Sequence, residues 1–305
     1  MCKKRWFTQS DGEKIFIRKW TDQSSKPKAI IQIAHGMAEH SQRYDQFAQF
    51  LTENQLIVYA NDHRGHGETG ARMGVMGYFA EQGGFERAVD DLWEMTAMIR
   101  TEHPGLPIIL LGHSMGSFLV RRYIQRYPTS VDAVILSGTG FDKGLVGKVG
   151  RLLAKFEVKR LGPKTASPLM DRLSFGQYSK GLAETESWLS RDSQSVRDYE
   201  NDPYCGFIST AKFYDDLLYG LEKIHQQSQV AKVNPSLPIL LFSGTADPVG
   251  DYSKGVHRVV KQYQKHGIKS IDLKLYPEGR HEMLFEINRE QVMRDILAWI
   301  IEVIS

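Results

Sequence analysis

Gly112-His113-Ser114-Met115-Gly116 follows the apolar run Ile108-Ile109-Leu110-Leu111 and precedes Phe118-Leu119-Val120, where a helical pattern begins. A strand that passes into a helix across five residues admits few backbone conformations. The turn must be tight, and glycines at both flanks let strand and helix approach closely. A serine at its centre is held exposed at the carboxyl end of the strand, beside the helix N-terminus and the Met115 N–H. The five residues alone also leave open a buried serine in a strand–helix turn, so a nucleophile elbow requires partners elsewhere in the chain.

The remaining pattern places those partners. Asp11-Gly12 between Trp6-Phe7-Thr8 and Lys14–Trp20 predicts a hairpin. The near-continuous apolar run 29–34 predicts a buried parallel strand, and 56–60, 131–137, 237–243 and 271–276 predict further strands. Helical periodicity marks Tyr44, Phe47, Phe50 and Leu51, then Phe85, Val89, Leu92, Trp93, Thr96 and Ile99, and finally Val292–Val303. Alternating strands and helices predict an α/β fold with a mostly parallel central sheet covered on both faces. Right-handed connections bring every strand-exit loop to one edge. Residues 141–234 break the rhythm, with helical patterns and no strong apolar strand. They leave from the carboxyl end of one strand and return before the next, which predicts a helical cap above that edge and a core made of 1–140 and 235–305.

A serine nucleophile needs a base, and the base needs an orienting acid. The run Ile239-Leu240-Leu241-Phe242 exits into Ser243-Gly244-Thr245-Ala246-Asp247, and Leu273-Lys274-Leu275-Tyr276 exits into Pro277-Glu278-Gly279-Arg280-His281. Asp247 and His281 therefore lie on the loop edge in the order acid, then histidine, that follows an elbow serine. Asp251 is the rival acid, but it better suits the N-terminal region of the next helix. The tetrahedral oxyanion needs two donors: the Met115 N–H is one, and the Met37 N–H of the His35-Gly36-Met37 loop is the other. His35 itself reads as a structural residue. Glu39 and Arg43 are four apart and can pair on one helical face, either as a surface ion pair or as polar groups at the pocket rim.

Charge and composition narrow the partners. The 305 residues carry a net charge of +3, so nothing argues for nucleic acid. Cys2 and Cys205, the two cysteines, have no metal or redox spacing and read as free thiols in a reducing compartment. Met1–Arg5 is basic, but no apolar segment follows it and no run approaches membrane-spanning length, which leads to the expectation of a cytoplasmic protein. His35, His40, His63, His66 and His113 all sit on exit loops, yet no recognised zinc spacing occurs among them, so neither metal nor cofactor is expected. Asp62 and Arg64 are expected to tie their loop down.

The motifs His35-Gly36-Met37-Ala38-Glu39-His40-Ser41-Gln42-Arg43-Tyr44, Asp62-His63-Arg64-Gly65-His66-Gly67, Gly112–Gly116, Gly244-Thr245-Ala246-Asp247 and His281-Glu282 together resemble the monoacylglycerol lipase/lysophospholipase group of serine α/β-hydrolases. The resemblance spans nearly the whole chain and is weakest in the cap. It implies an α/β-hydrolase fold with Ser114, Asp247 and His281 as the triad and Met37 and Met115 as oxyanion donors. It also implies that Glu39 and Arg43 shape the polar, glycerol end of the site; His113, beside the serine, is assigned to the substrate side as well. Esterases for other acyl groups and peptidases share the same group, and no cap residue matches a pattern that separates them.

The expected substrate is a small acyl ester or a single-chain lipid. Leu145, Val149, Leu152, Leu153 and Phe156 make one cap helix apolar, while Lys148, Arg151, Lys155, Lys159 and Arg160 make it basic. Such a helix could rest transiently on a lipid surface, but the favoured expectation is that it packs on its own domain with its charges solvated. A serine at the elbow argues against dehalogenase and epoxide hydrolase chemistry. Thioesterase and acyltransferase readings stay open, and so does an aminopeptidase in which Glu184, Glu186 and Asp192 receive a substrate ammonium. A non-catalytic binding module is the outlying reading. Oligomeric state is not legible.

Overall fold

Strands β1 (Cys2–Thr8), β2 (Lys14–Trp20), β3 (Ala29–Ala34), β4 (Leu56–Asn61), β5 (Ile108–His113), β6 (Ala133–Ser137), β7 (Ile239–Gly244) and β8 (Ile271–Tyr276) form one sheet. The computed structural model describes every residue except 23, 25, 143, 180, 181, 184 and 185. The strand order is β1-β2-β4-β3-β5-β6-β7-β8. The hairpin strands β1 and β2 are antiparallel, and β2 joins β4 antiparallel. From β4 through β8 every pairing is parallel.

The helices are α1 (Asp45–Glu53), α2 (Gly67–Met73), α3 (Gly84–Glu102), α4 (Met115–Arg126), α5 (Leu145–Leu161) and α6 (Pro168–Ser174). They continue with α7 (Ser193–Asn201), α8 (Ala211–Ile224), α9 (Gln227–Val230), α10 (Lys254–Lys265) and α11 (Arg289–Ile304). Successive strand residues point to opposite faces, so a strand covered on both sides must be apolar throughout. Ile30, Ile108 and Leu110 enter the cluster with α3, α4 and α10, whereas Ile31, Ile33, Ile109 and Leu111 enter the one with α1 and α11. Burial of each such side chain contributes about 1.5–3 kcal/mol. This is the α/β-hydrolase arrangement: a mostly parallel sheet with helices on both faces.

Helices α5 to α9 lie between β6 and β7. Helix α8 packs beside α3 and α4, and its Phe213 and Ile224 join the main apolar cluster. The face of α5 that meets α8 is not the one that the large apolar residues predict. Leu145, Val149, Leu152 and Phe156 are 76, 58, 68 and 59% exposed. Gly150 and fully buried Ala154 face inward instead, and a Cβ added at Gly150 would sit 3.6 Å from Leu218 of α8. Small residues let the two helix axes approach, and close packing along that stripe turns the large residues outward. The expectation that the apolar face packs on its own domain is corrected accordingly; only Leu153 is partly buried.

Candidate active site

The turn after β5 has the geometry that its glycines demand. Ser114 takes φ +51° and ψ −119°, a region that costs a non-glycine residue about 1–3 kcal/mol and is retained where a site needs it. A Cβ on Gly116 would lie 2.0 Å from the Ala34 carbonyl oxygen, and one on Gly112 would lie 2.5 Å from the Gly116 oxygen. Strands β3 and β5 and helix α4 thus meet with no side chain between them. The Ser114 N–H donates to the Ser137 carbonyl at 2.9 Å, which fixes the serine at the carboxyl ends of β5 and β6.

Asp247 and His281 meet on the same edge. His281 Nδ1 lies 3.0 Å from Asp247 Oδ1, the Val249 N–H donates to that oxygen at 2.9 Å, and Ser243 Oγ donates to Oδ2 at 3.2 Å. Burial alone would raise the Asp247 carboxyl, but His281 and the Val249 amide hold it below its ordinary value. Burial works against a charged His281, yet Asp247, with help from Glu282 and Glu39, lifts it above the ordinary histidine range. Asp247 therefore stabilises a proton on His281, which suits a histidine that must carry one part-way through a reaction. Ser114 Oγ and His281 Nε2 make no hydrogen bond among the described residues, a separation common before substrate tightens a site. Asp251 is not joined to His281; it sits in a left-handed turn before α10, at φ +50°.

The loop that carries Met37 lies beside the serine: a Cβ on Gly36 would sit 3.3 Å from Ser114 Cβ. Among the described residues neither the Met37 nor the Met115 N–H has a protein acceptor, the condition that an oxyanion site requires. The loop that carries Met37 is fixed from below. The Gly36 N–H donates to Glu39 Oε1 at 2.5 Å, Tyr44 OH donates to the same oxygen at 3.0 Å, and Arg43 Nη1 donates to Oε2 at 2.8 Å. Arg43 also grips Glu282 through two bonds of 2.7 and 2.8 Å. Burial raises the Glu39 carboxyl, whereas the Arg43 fork holds Glu282 low despite its burial. Glu39 is buried and Arg43 is half-buried, and both are paired with protein groups. Arg43 is further enclosed by the rings of Phe285 at 4.2 Å and Tyr199 at 4.8 Å.

His113 is buried with its ring 4.8 Å from that of His281 and its Nδ1 3.2 Å from Ser137 Oγ. Burial and the neighbouring His281 push it down to about 3, so it stays neutral. His35, His63 and His66 form a second buried group. His35 Nε2 accepts the His63 N–H at 2.9 Å, its Nδ1 lies 2.7 Å from the Gly36 carbonyl, and the three rings lie 4.2 to 6.4 Å apart in tilted or edge-on contact. Asp62 accepts the Ser41 and Glu68 amides, and Arg64 pairs with Asp91 and Asp11, so both tie the loop between β4 and α2. Among the described residues one set of side chains could converge on a metal ion. His40, Asp202 and Cys205 place donor atoms within 4.8 Å of one another. His40 Nε2 is already bonded to Asp202 at 2.8 Å, and burial holds the Cys205 thiol protonated. None of the three belongs to the serine, acid or histidine set.

The segment 186–192 lies on the histidine loop, a placement that no sequence pattern signals. The His281 and Glu282 amides donate to the Trp188 and Leu189 carbonyls at 3.3 and 2.8 Å. Glu186 pairs with Arg280 at 2.7 Å, and Asp192 pairs with Arg289 at 2.6 Å while capping α7. Two of the three acidic residues considered for a substrate ammonium are thus engaged; Glu184 lies outside the described residues.

A family profile described as serine aminopeptidase, S33, matches residues 25–288. The chain is 30% identical to a monoacylglycerol lipase of Mycolicibacterium smegmatis over 304 residues, covering 97% of this chain and 95% of the relative. It is 29% identical to a monoglyceride lipase of Rattus norvegicus, covering 95% and 88%. Among solved structures, a thermostable carboxyl esterase from Bacillus coagulans, in complex with glycerol, superposes with a TM-score of 0.91 at 26% identity over 100% of this chain and 99% of that one. A lipase in its open form superposes with a TM-score of 0.89, also at 26% identity, with full coverage of both chains.

Proposed function

The chain belongs to the serine aminopeptidase S33 family and is a monoacylglycerol-lipase-like serine ester hydrolase, and on that premise we propose that it hydrolyses single-chain acyl lipids, monoacylglycerols or lysophospholipids, through Ser114, His281 and Asp247. The observation that carries the site assignment is the 3.0 Å bond between His281 and Asp247 on the same sheet edge as the left-handed Ser114 turn. His281 removes the Ser114 proton as Oγ attacks the acyl carbonyl, and Asp247 orients and stabilises the imidazolium. The Met37 and Met115 amides receive the developing oxyanion. The tetrahedral intermediate collapses, the leaving alcohol takes the proton from His281, and water repeats the sequence on the acyl-enzyme. His113 lines the site beside His281. Glu39 and Arg43 shape the polar end by holding the oxyanion loop.

The lipid reading rests on the cap, residues 141–234. The outward face of α5 carries Leu145, Val149, Leu152 and Phe156 beside exposed Lys148, Lys155 and Lys159, a surface suited to transient contact with an anionic lipid interface. No helix among the described residues is long and apolar enough to cross a membrane. The free thiols of Cys2 and Cys205 suit a reducing, cytoplasmic setting. A hydrolysis panel of monoacylglycerols, lysophospholipids, short p-nitrophenyl esters and aminoacyl amides tests the substrate class. The proposal expects the long-chain esters to lead in kcat/KM, and preference for the aminoacyl amides would overturn it.

A further inference from the structure

We propose that Trp188 is a positioning residue for His281, so that the segment 186–192 sets the orientation of the base. The inference rests on the assignment of His281 as that base. Asp247 holds the imidazole through one hydrogen bond at Nδ1, which fixes an edge but leaves the ring free to tilt about it. The Trp188 indole lies against the ring with centroids 5.1 Å apart and planes 33° apart, which blocks that tilt. Trp188 is braced in turn, stacked on Phe175 at 5.9 Å and 17° and against Tyr178 at 5.0 Å.

The main chain reinforces the contact. Besides the two amides that donate to the Trp188 and Leu189 carbonyls, Arg280 Nη1 donates to the Ser187 carbonyl, and Ser190 Oγ donates to the Phe285 carbonyl at 2.9 Å. Glu286, fully buried, accepts the Arg280 and Arg191 amides at 3.0 and 3.1 Å and pairs with the Arg191 side chain at 3.0 Å. These bonds span the length of the histidine loop, so displacement of 186–192 moves the backbone of His281 with it. A base that must accept the Ser114 proton and return it to a leaving group on another path needs a fixed ring, and small misplacements are costly.

The test compares W188A, W188F and H281Q on p-nitrophenyl acetate, whose short acyl group limits effects on chain binding. W188A is expected to lose about tenfold in kcat with KM within about twofold, and W188F, which keeps a flat ring, to recover to within about threefold of the starting protein. The difference in fluorescence between the starting protein and W188F isolates the Trp188 signal, because the other four tryptophans are common to both. Protonated imidazole quenches an adjacent indole, so that signal should fall on acidification with the midpoint of the acid limb of kcat/KM, and H281Q should abolish the transition. A W188A enzyme with unaltered kcat, or a Trp188 signal flat across the acid limb, overturns the proposal. If W188A does not fold, W188F and the fluorescence titration still decide. Retention of turnover by H281Q would instead overturn the assignment of the base, a separate failure.

Discussion

The Arg43 guanidinium grips the Glu282 carboxylate through two bonds of 2.7 and 2.8 Å, and so fastens the residue after His281 to the 3-10 turn Ser41–Tyr44 that follows the Met37 loop. The same guanidinium reaches Glu39, whose other oxygen receives the Gly36 N–H. One side chain therefore links the two loops that a serine hydrolase must keep in register. Removing one member of a buried ion pair leaves the others uncompensated, at about 3–5 kcal/mol. R43M should lose stability in that range in urea unfolding and lower kcat more than it raises KM. Lysine keeps the charge but not the fork, so R43K should fall between R43M and the starting protein. An R43M protein as stable as the starting one would show that the pairing contributes nothing.

The pH dependence of activity has a definite sign. A general base works only when neutral, and Asp247 and its neighbours outweigh burial to hold His281 above the ordinary histidine value. The acid limb of kcat/KM should therefore lie above about 6.5. D247N should move that limb downward and reduce kcat by about 10³–10⁴-fold, as loss of the orienting carboxylate does in other triads. Steady-state profiles on a soluble ester measure both quantities.

Stability, like activity, should fall on acidification, but through a different set of histidines. His35, His63, His66, His113 and His225 are all depressed, chiefly by burial, with His66 near 4 and His63, His113 and His225 near 3. The unfolded chain binds protons at about pH 6.5 that the folded chain refuses until far lower, so stability is fully present above that pH and drains away as pH falls towards 4. Each such histidine contributes a slope of up to about 1.4 kcal/mol per pH unit. His281 contributes the reverse, as do the Glu39, Asp91 and Asp216 carboxyls that burial raises, but the five depressed histidines outweigh them. Urea unfolding at pH 7.5 and pH 5 should show a loss of several kcal/mol on acidification, and equal stabilities would contradict this account.

The outward face of α5 should matter only at an interface. L152S with F156S removes apolar surface that is already exposed, so short-ester kcat should stay within about twofold of the starting protein. Co-sedimentation with anionic phospholipid vesicles should fall, together with turnover of a monoacylglycerol presented in those vesicles. Unchanged vesicle binding would remove α5 from the docking surface.

The sheet was legible because buried parallel strands must be largely apolar on both faces, and β3, broken only by Gln32, and the central residues of β5, β6 and β7 read that way. Asp247 and His281 could be placed near each other because each follows a parallel strand, and parallel strands deliver their exit loops to one edge. Helix α5 was misread because periodicity weighs large apolar residues, whereas close helix packing selected Gly150 and Ala154. Trp188 carried no signal at all. Its position depends on how 186–192 crosses the histidine loop, and no local period encodes a contact across 93 residues of chain.

The proposed mechanism makes Ser114 Oγ the atom that becomes acylated. Treatment with a fluorophosphonate, followed by peptide mapping by mass spectrometry, tests that claim most directly. The account predicts one adduct per chain, carried by Ser114, formed at the rate at which ester turnover disappears, and absent from S114A. Loss of activity with the adduct on another residue, or full turnover by S114A, would contradict it.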